Sequence, residues 1–322
     1  MDTADRLIGI LEGDNPGPLI IAVGAIHGNE PAGVTAIKGF LDEVKKLQSV
    51  FDIQINGTFI GLVGNIAAFN ANIRYSNYDL NRCWSVERIR SMTSHFDEEV
   101  GRLEGEELEM YGIITLLLEV VERYTPTEVV VLDLHTTSAA GGVFSIPLEL
   151  DKRNLALAAS LPAPIVLGLA SGFVGTFLQG ISVLLSNSNF VEGTIRGLAF
   201  EAGQHQEEAS IQRALWVLHS VVREVGLLDW RQQPDVEARA VLFNLELPRV
   251  TRIFYKHEIR PGTFFRMNPG YVNFQYIQKG EPLAMELSES VVAPASGYLL
   301  MPLYQPKGSD GFFLAAEAEA NW

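Results

Sequence analysis

Cysteine is nearly absent from this chain: Cys83 stands alone among 322 residues. A single thiol closes no intrachain disulfide, so the core must hold the fold, and a reducing, cytoplasmic setting fits. Basic residues are also scarce, 24 Lys and Arg against 39 Asp and Glu, for a formal net charge of −15. A chain so acidic repels polyanions on average, which sets aside nucleic acid and anionic membrane surfaces as partners. An anionic substrate would need a local cluster of cations or a metal. Residues 1–13 lack a basic start followed by an apolar run, so no signal peptide is expected. Charge is missing altogether from 154–191, but Pro162 and Pro164 interrupt that stretch and glycines punctuate it. No basic cluster flanks it, so buried strands and turns are expected there rather than a membrane span. There is no internal repeat, no G-x-S-x-G elbow, no Walker loop and no G-x-G-x-x-G.

What is present is a hydrophobic share of 47% with 20% charged residues, the balance of a soluble protein with a sizeable core. The length suits one large domain and a smaller one. Residues 19–26 (LIIAVGAI) form a short apolar run read as a buried strand; Pro31 then stands where a helix would begin, and 32–47 continue with helical spacing. Residues 58–63 suggest a second strand. Residues 65–84 are polar and aperiodic, a long loop of the kind that is usually functional. Residues 98–124 predict one long amphipathic helix, 128–134 (EVVVLDL) the clearest buried strand, 197–200 a further strand and 206–225 a helix. Strands alternating with helices predict an α/β layer architecture with helices on both faces. From Arg239 onward the text turns β-branched, aromatic and turn-rich, which predicts a β-rich domain over 235–322 after a first domain over 1–234.

Three polar groups follow apolar strands, where α/β sheets build their sites. His27 and Glu30 sit three apart after the first strand, with Gly28 between them to allow a sharp turn. His135 closes the strand at 128–134, and Glu201 follows the strand at 197–200. A catalytic zinc site takes three protein ligands from imidazole and carboxylate and leaves one position open. His27, Glu30 and His135 supply that set, and Glu201 is a carboxylate suited to a general base. Taken singly, each signal is weak: His27-x-x-Glu30 reads equally well as a helix start, and His135 as a strand end. The polar loop adds Arg74, Asn81 and Arg82, and the planar guanidinium suits carboxylate recognition or an oxyanion.

Together, GAIHGNEPAG (24–33), RYSNYDLNR (74–82), LDLHTTS (132–138) and AFEAG (199–203) resemble, in order and spacing, the succinylglutamate desuccinylase/aspartoacylase family of zinc hydrolases. The resemblance spans nearly the whole chain. It implies a zinc carboxypeptidase-like three-layer α/β/α domain with a mixed central sheet, a smaller β-rich C-terminal domain, and one Zn²⁺ per chain. It further implies that His27, Glu30 and His135 ligate the metal, that Arg74 stabilises the oxyanion, that Asn81 and Arg82 clamp a substrate carboxylate, and that Glu201 is general base and then acid. The expected activity is hydrolysis of the amide, or an ester, of a small carboxylate-bearing N-acyl amino acid.

Departures matter too. Where the aspartoacylase branch carries a further arginine upstream of the catalytic glutamate, gripping a second substrate carboxylate, this chain has Val191. Arg196 is an odd number of residues from Glu201 and so on the opposite face of a continuous strand. A more apolar substrate wall is therefore expected. Tyr298 and Tyr304 lie in the region of the family's late substrate-contacting tyrosine without a clear match. Asp133 reads as a partner of the metal site or a buried strand residue, His205 as a helix-entry surface residue, and His95, His219 and His257 as incidental. The competing functions are a metallocarboxypeptidase acting on peptide C-termini and a zinc- or ligand-binding protein without catalysis. Homo-oligomerisation is left open.

Overall fold

The computed structural model describes residues 6–51, 53–94, 102–149, 151–172, 174–188, 191, 193–228, 243, 244 and 246–319. The expected domain boundary at 234/235 and His95 lie outside the described residues.

The centre is a parallel ladder of β2 (Asn15–Gly24), β4 (Glu128–Thr137) and β7 (Thr194–Gln204), with β3 (Asn56–Val63) parallel on the far side of β2. β1 (Leu7–Glu12) adds antiparallel to β3, and β5 (Phe144–Pro147) adds antiparallel to β7. These strands alternate in the two directions a sandwiched sheet requires. Ile20, Ala22, Val130 and Leu132 point into one apolar cluster, whereas Leu19, Ile21, Val23, Val129 and Val131 point into another. The first cluster is covered by α1 (Ala32–Gln48) and α8 (Glu208–Glu224), the second by α4 (Glu106–Tyr124) and α7 (Phe177–Ser186). Fully burying each aliphatic side chain contributes about 1.5–3 kcal/mol, so two packed faces clamp the strands whose C-terminal ends carry the site. The expected three-layer α/β/α architecture around a mixed sheet is what the chain adopts.

The C-terminal strands do not stand apart from this sheet. β6 (Ile165–Leu167) pairs parallel with β5 on one side and with β8 (Val250–Glu258) on the other. β14 (Asp310–Glu317), β13 (Gly297–Leu300) and β10 (Tyr276–Ile277) continue it antiparallel, to eleven strands among the described residues. A second sheet of β9 (Phe265–Met267), β11 (Pro282–Glu286) and β12 (Glu289–Val292) supplies the rest of the β-rich part.

Several expectations need correction. The uncharged stretch is mostly helical, with α5 (Lys152–Ala159), α6 (Leu169–Gly172) and α7 around the single short strand β6. Asp151 caps α5, accepting from the N–H groups of Arg153 and Asn154, and Thr176 with Gln179 closes a capping box on α7. The polar loop contains a short helix, α2 (Ile66–Ala71), capped by the Asn65 side chain. The long helix expected from 98 begins at Glu106 as α4, and a separate α3 (Val86–Ser94) precedes it. No helix among the described residues is long and apolar enough to cross a membrane.

Candidate active site

Asp133, His135 and Glu201 share a face of the sheet because they fall on the odd positions of β4 and β7, in step with Val129, Val131 and Ala199 of the α4/α7 side. The parallel register then sets His135 directly beside Glu201. His27 and Glu30 arrive from β2, where Ala25, fully buried at φ 58°, turns the chain out of the sheet. Left-handed backbone at a non-glycine residue is uncommon and costs energy. Pro31 caps α1 immediately afterwards. Gly28 is needed for space: a Cβ there would stand 2.1 Å from the Ala68 carbonyl carbon and 2.3 Å from the Phe69 nitrogen. The turn thus packs backbone to backbone on α2, and its Gly28 N–H donates to the Arg74 carbonyl at 3.1 Å.

One buried carboxylate stands between the two imidazoles. His27 Nδ1 is 2.9 Å from Glu30 Oε1, and His135 Nδ1 is 3.0 Å from Glu30 Oε2. The opposite ring nitrogens are also engaged: Nε2 of His27 is 3.0 Å from Asp79 Oδ1, and Nε2 of His135 is 2.9 Å from Asp133 Oδ2. An imidazole that donates its Nε2–H to an aspartate turns its Nδ1 lone pair inward, the arrangement of carboxylate-supported metal histidines. Two lone pairs facing one carboxylate require protons on both rings or a shared cation. Two imidazolium rings side by side in a buried site are unfavourable, whereas one divalent ion satisfies all three groups. Among the described residues, His27, Glu30 and His135 form the one cluster whose ligand atoms, one from each residue, all lie within 4.8 Å of one another. The set of two nitrogens and a carboxylate suits zinc. The residues present therefore fit the metal that the resemblance implies.

The electrostatics are those of tightly facing opposite charges. Burial opposes ionisation of Glu30, yet His27 and His135 hold its carboxyl well below the ordinary range. Burial likewise opposes charge on His135, but Asp133 and then Glu30 raise it well above the usual histidine value. Asp79 is held low against its burial by His27, Arg74 and Arg82. Glu201 goes the other way: burial, with repulsion from Glu30 and Asp133, outweighs the attraction of His135 and Arg74 and pushes it up to about 8. Its Oε2 is buried without a hydrogen-bond partner. A cation among the three neighbouring donors would draw that value back down.

The loop at 74–82 brings the remaining candidates. Arg74 Nη2 donates to Asp79 Oδ2 at 3.1 Å, and its Nη1 lies 3.6 Å from Glu30 Oε1. The Phe177 N–H, at the start of α7, donates to Asn81 Oδ1 at 2.7 Å, which leaves the Asn81 amide nitrogen facing His135. Arg82 Nη1 donates to the Asn81 carbonyl at 2.8 Å. What holds the loop in place is Glu106, 1% exposed at the start of α4. Its carboxylate accepts from the N–H groups of Ser76, Asn77 and Tyr78 and from the Asn65 amide, at 2.6–3.3 Å.

One cavity gathers all seven expected residues: His27, Glu30, Arg74, Asn81, Arg82, His135 and Glu201 line it together. Its roof is the segment 301–310 between β13 and β14, fastened to three of the four motifs. Asn29 Nδ2 donates to Gln305 Oε1 at 2.9 Å, Tyr304 N–H to Ser138 Oγ at 3.0 Å, and Lys307 Nζ to the Tyr75 carbonyl at 2.7 Å. Val191 does not line this cavity; it packs near Ser182 and Ile195. Arg196 is turned away, its Nε 2.8 Å from Glu128. Neither tyrosine lines it: Tyr298 donates to Glu317, and Tyr304 to the Asn268 carbonyl. His205 departs from the surface reading, since its Nδ1 is 2.8 Å from Thr136 Oγ1, next to the Thr136 N–H that donates to Glu30. Asp79 and Glu106 went without a role in the sequence; an acid inside an otherwise polar, arginine-bearing loop was the available signal for Asp79.

Comparison with known proteins bears on the family and the fold. The sequence model of the succinylglutamate desuccinylase/aspartoacylase catalytic domain matches residues 16–190, over half of the chain. A probable aspartoacylase of Trichodesmium erythraeum is 32% identical over 142 residues, 43% of this chain and 42% of the relative. An N-acyl-aromatic-L-amino acid amidohydrolase (carboxylate-forming) of Xenopus laevis is 29% identical over 144 residues, 43% of this chain and 41% of that one. The matched region thus spans about two-fifths of the length of these curated relatives. Among solved structures, a succinylglutamate desuccinylase/aspartoacylase from Rhodobacter sphaeroides superposes with a TM-score of 0.64 at 14% identity, covering 97% of this chain and 88% of the other. Murine aminoacylase 3 superposes with a TM-score of 0.58 at 18% identity, covering 95% and 96%. At such identities the superpositions speak for a shared fold. On the sequence match, the chain belongs to the succinylglutamate desuccinylase/aspartoacylase family.

Proposed function

We propose that this protein is a zinc-dependent hydrolase that cleaves the amide bond of a small, carboxylate-bearing N-acyl amino acid. The observation that carries this reading is the pair of imidazole Nδ1 atoms facing one carboxylate, with the partnerless Glu201 oxygen in the same cavity. A binding site alone has no use for such a group. His27, Glu30 and His135 would hold a zinc ion, which would supply Lewis acidity toward the acyl carbonyl and the attacking water.

The chain's own residues do the rest. Glu201 takes a proton from the attacking water and then delivers it to the departing amine nitrogen. Its carboxyl oxygen Oε2, buried without a hydrogen-bond partner, is available both to accept a proton and to return it. Arg74, aimed by Asp79 and Glu30, donates to the oxyanion that develops on the acyl oxygen, an interaction worth about 3–4 kcal/mol in comparable sites. Asn81, its carbonyl oxygen occupied by the Phe177 N–H, presents its amide N–H groups, and with Arg82 it holds the substrate carboxylate. The roof at 301–310 supports a small substrate over the C-terminus of a peptide. In this reading residues 1–234 carry the chemistry, residues 235–322 shape the entrance, and the protein works in the cytoplasm.

Glu201→Gln tests the assignment. It should lower kcat by about 10²–10⁴-fold while the zinc content, read by elemental analysis, stays at one per chain. Unchanged turnover would remove Glu201 from the mechanism, and wild-type protein that cleaves no member of an N-acyl amino acid panel would end the deacylase reading.

A further inference from the structure

The cavity has few cations to offer an anionic substrate. Apart from the two histidines, its lining contains Arg74 and Arg82 as the basic residues. Arg74 faces Asp79 and Glu30. Arg82 already meets a carboxylate from the far end of the chain: its Nη2 is 3.3 Å from Asp310 Oδ2.

Asp310 is placed by the fold. It opens β14 opposite Glu258 of β8, and its side chain is 11% exposed. Ser309 Oγ donates to its Oδ2 at 3.1 Å, and Lys256 Nζ lies 3.6 Å from its Oδ1. The cavity that Asp310 lines also presents apolar side chains, among them Ile146, Leu148, Leu169, Leu178, Met301 and Phe313. A second substrate carboxylate entering this space would therefore meet aliphatic and aromatic surface and the fixed negative charge of Asp310, with Arg82 already committed to the first carboxylate. Both disfavour an anion, one by desolvation and one by repulsion.

We propose that Asp310 is a specificity-determining residue. It partly neutralises Arg82, so that the cavity accepts N-acyl amino acids carrying one carboxylate and an apolar side chain and rejects those carrying two. This rests on the hydrolase reading for its substrate class. Selection of this kind works by repelling the competitor as much as by attracting the substrate.

N-acetyl-L-methionine and N-acetyl-L-glutamate, similar in length and different in charge, form the test pair. On the zinc-loaded protein the wild type should favour the methionine derivative in kcat/KM. Asp310→Asn, nearly isosteric, should shift that ratio toward the glutamate derivative by about tenfold, the scale of one removed charge at short range. Asp310→Glu retains the charge and should retain the preference. The same ratio is read without turnover as calorimetric Kd values on the Glu201→Gln background. A ratio unmoved by Asp310→Asn in both measurements overturns the proposal, as does an Asp310→Glu variant that behaves like Asp310→Asn. Binding that follows the prediction without cleavage of either compound by the wild type would instead sink the hydrolase reading and leave Asp310 as the selector.

Discussion

Each imidazole of the candidate metal site is held from behind by an aspartate, and this pairing sets what single substitutions should do. Asp133 Oδ2 and Asp79 Oδ1 accept from the outward ring nitrogens, so they fix the ring orientation and raise the basicity of the inward nitrogen. Asp133→Asn should weaken zinc affinity by about 10–100-fold, measured by competition with a chromophoric chelator, and leave the fold intact because the replacement is isosteric. Zinc affinity unchanged within error would show that the ring is oriented by something else. Asp79 faces both His27 and Arg74, so one carboxylate couples a proposed metal ligand to the proposed oxyanion donor. Such residues are hard to assign before the fold is known. His27, Glu30, His135 and Glu201 stood out because they follow apolar strands, whereas the common face of Asp133, His135 and Glu201 emerges only from the register of β4 against β7. Asp310 carried no comparable signal, since its partner Arg82 is 228 residues away in sequence.

At the scale of elements, the site depends on how a helix start grips a loop. Glu106 and Glu109 open α4, and both point into the protein rather than to solvent. Glu109 accepts from the Ala67 N–H at 2.9 Å and pairs with buried Arg6, while Glu106 receives three successive backbone N–H groups of the 74–82 loop. Hydrogen bonds to a charged acceptor are worth roughly 1.5–3 kcal/mol each when buried. Glu106→Gln puts an NH₂ group against N–H donors, so it should loosen the loop that carries Arg74, Asn81 and Arg82. The expected result is a raised KM and a lowered kcat together, with zinc still bound through Glu30 and His135 on other elements but held less tightly at His27, whose supporting Asp79 rides on this loop. Loss of zinc with unchanged KM would contradict this. The elements themselves were unevenly legible. The buried strands and α1 were clear from composition and period. The uncharged stretch at 154–191 misled because short apolar runs broken by proline and glycine have no decisive period; the caps at Asp151 and Thr176 were the better signal. The α2 helix went unread because its six residues are too few for a period and its start depends on Asn65.

For the whole molecule, the continuity of the large sheet decides how the two parts behave. β6 is flanked by β5 and β8, so the backbone ladder runs through the proposed domain division without a break. Phe144, Val166, Phe313 and Leu300 pack in one buried cluster across the same seam. A linker between independent domains would leave few such contacts. Calorimetric unfolding is therefore expected to show a single cooperative transition, with a truncation after residue 249 unable to stay soluble because it bares the β6 edge. Two well-separated transitions, or a soluble and folded truncation, would show that the halves are autonomous. The chain order of the cavity has a further consequence for biosynthesis. The ribosome delivers His27, Glu30 and His135 first, Glu201 next, and Asp310 well after all four. At about 5–20 residues per second, the three donors are synthesised on the order of ten seconds before the roof arrives. Because the sheet folds as one unit, neither metal capture nor discrimination between substrates would be expected of a nascent chain before residues 301–310 have emerged and closed over the cavity.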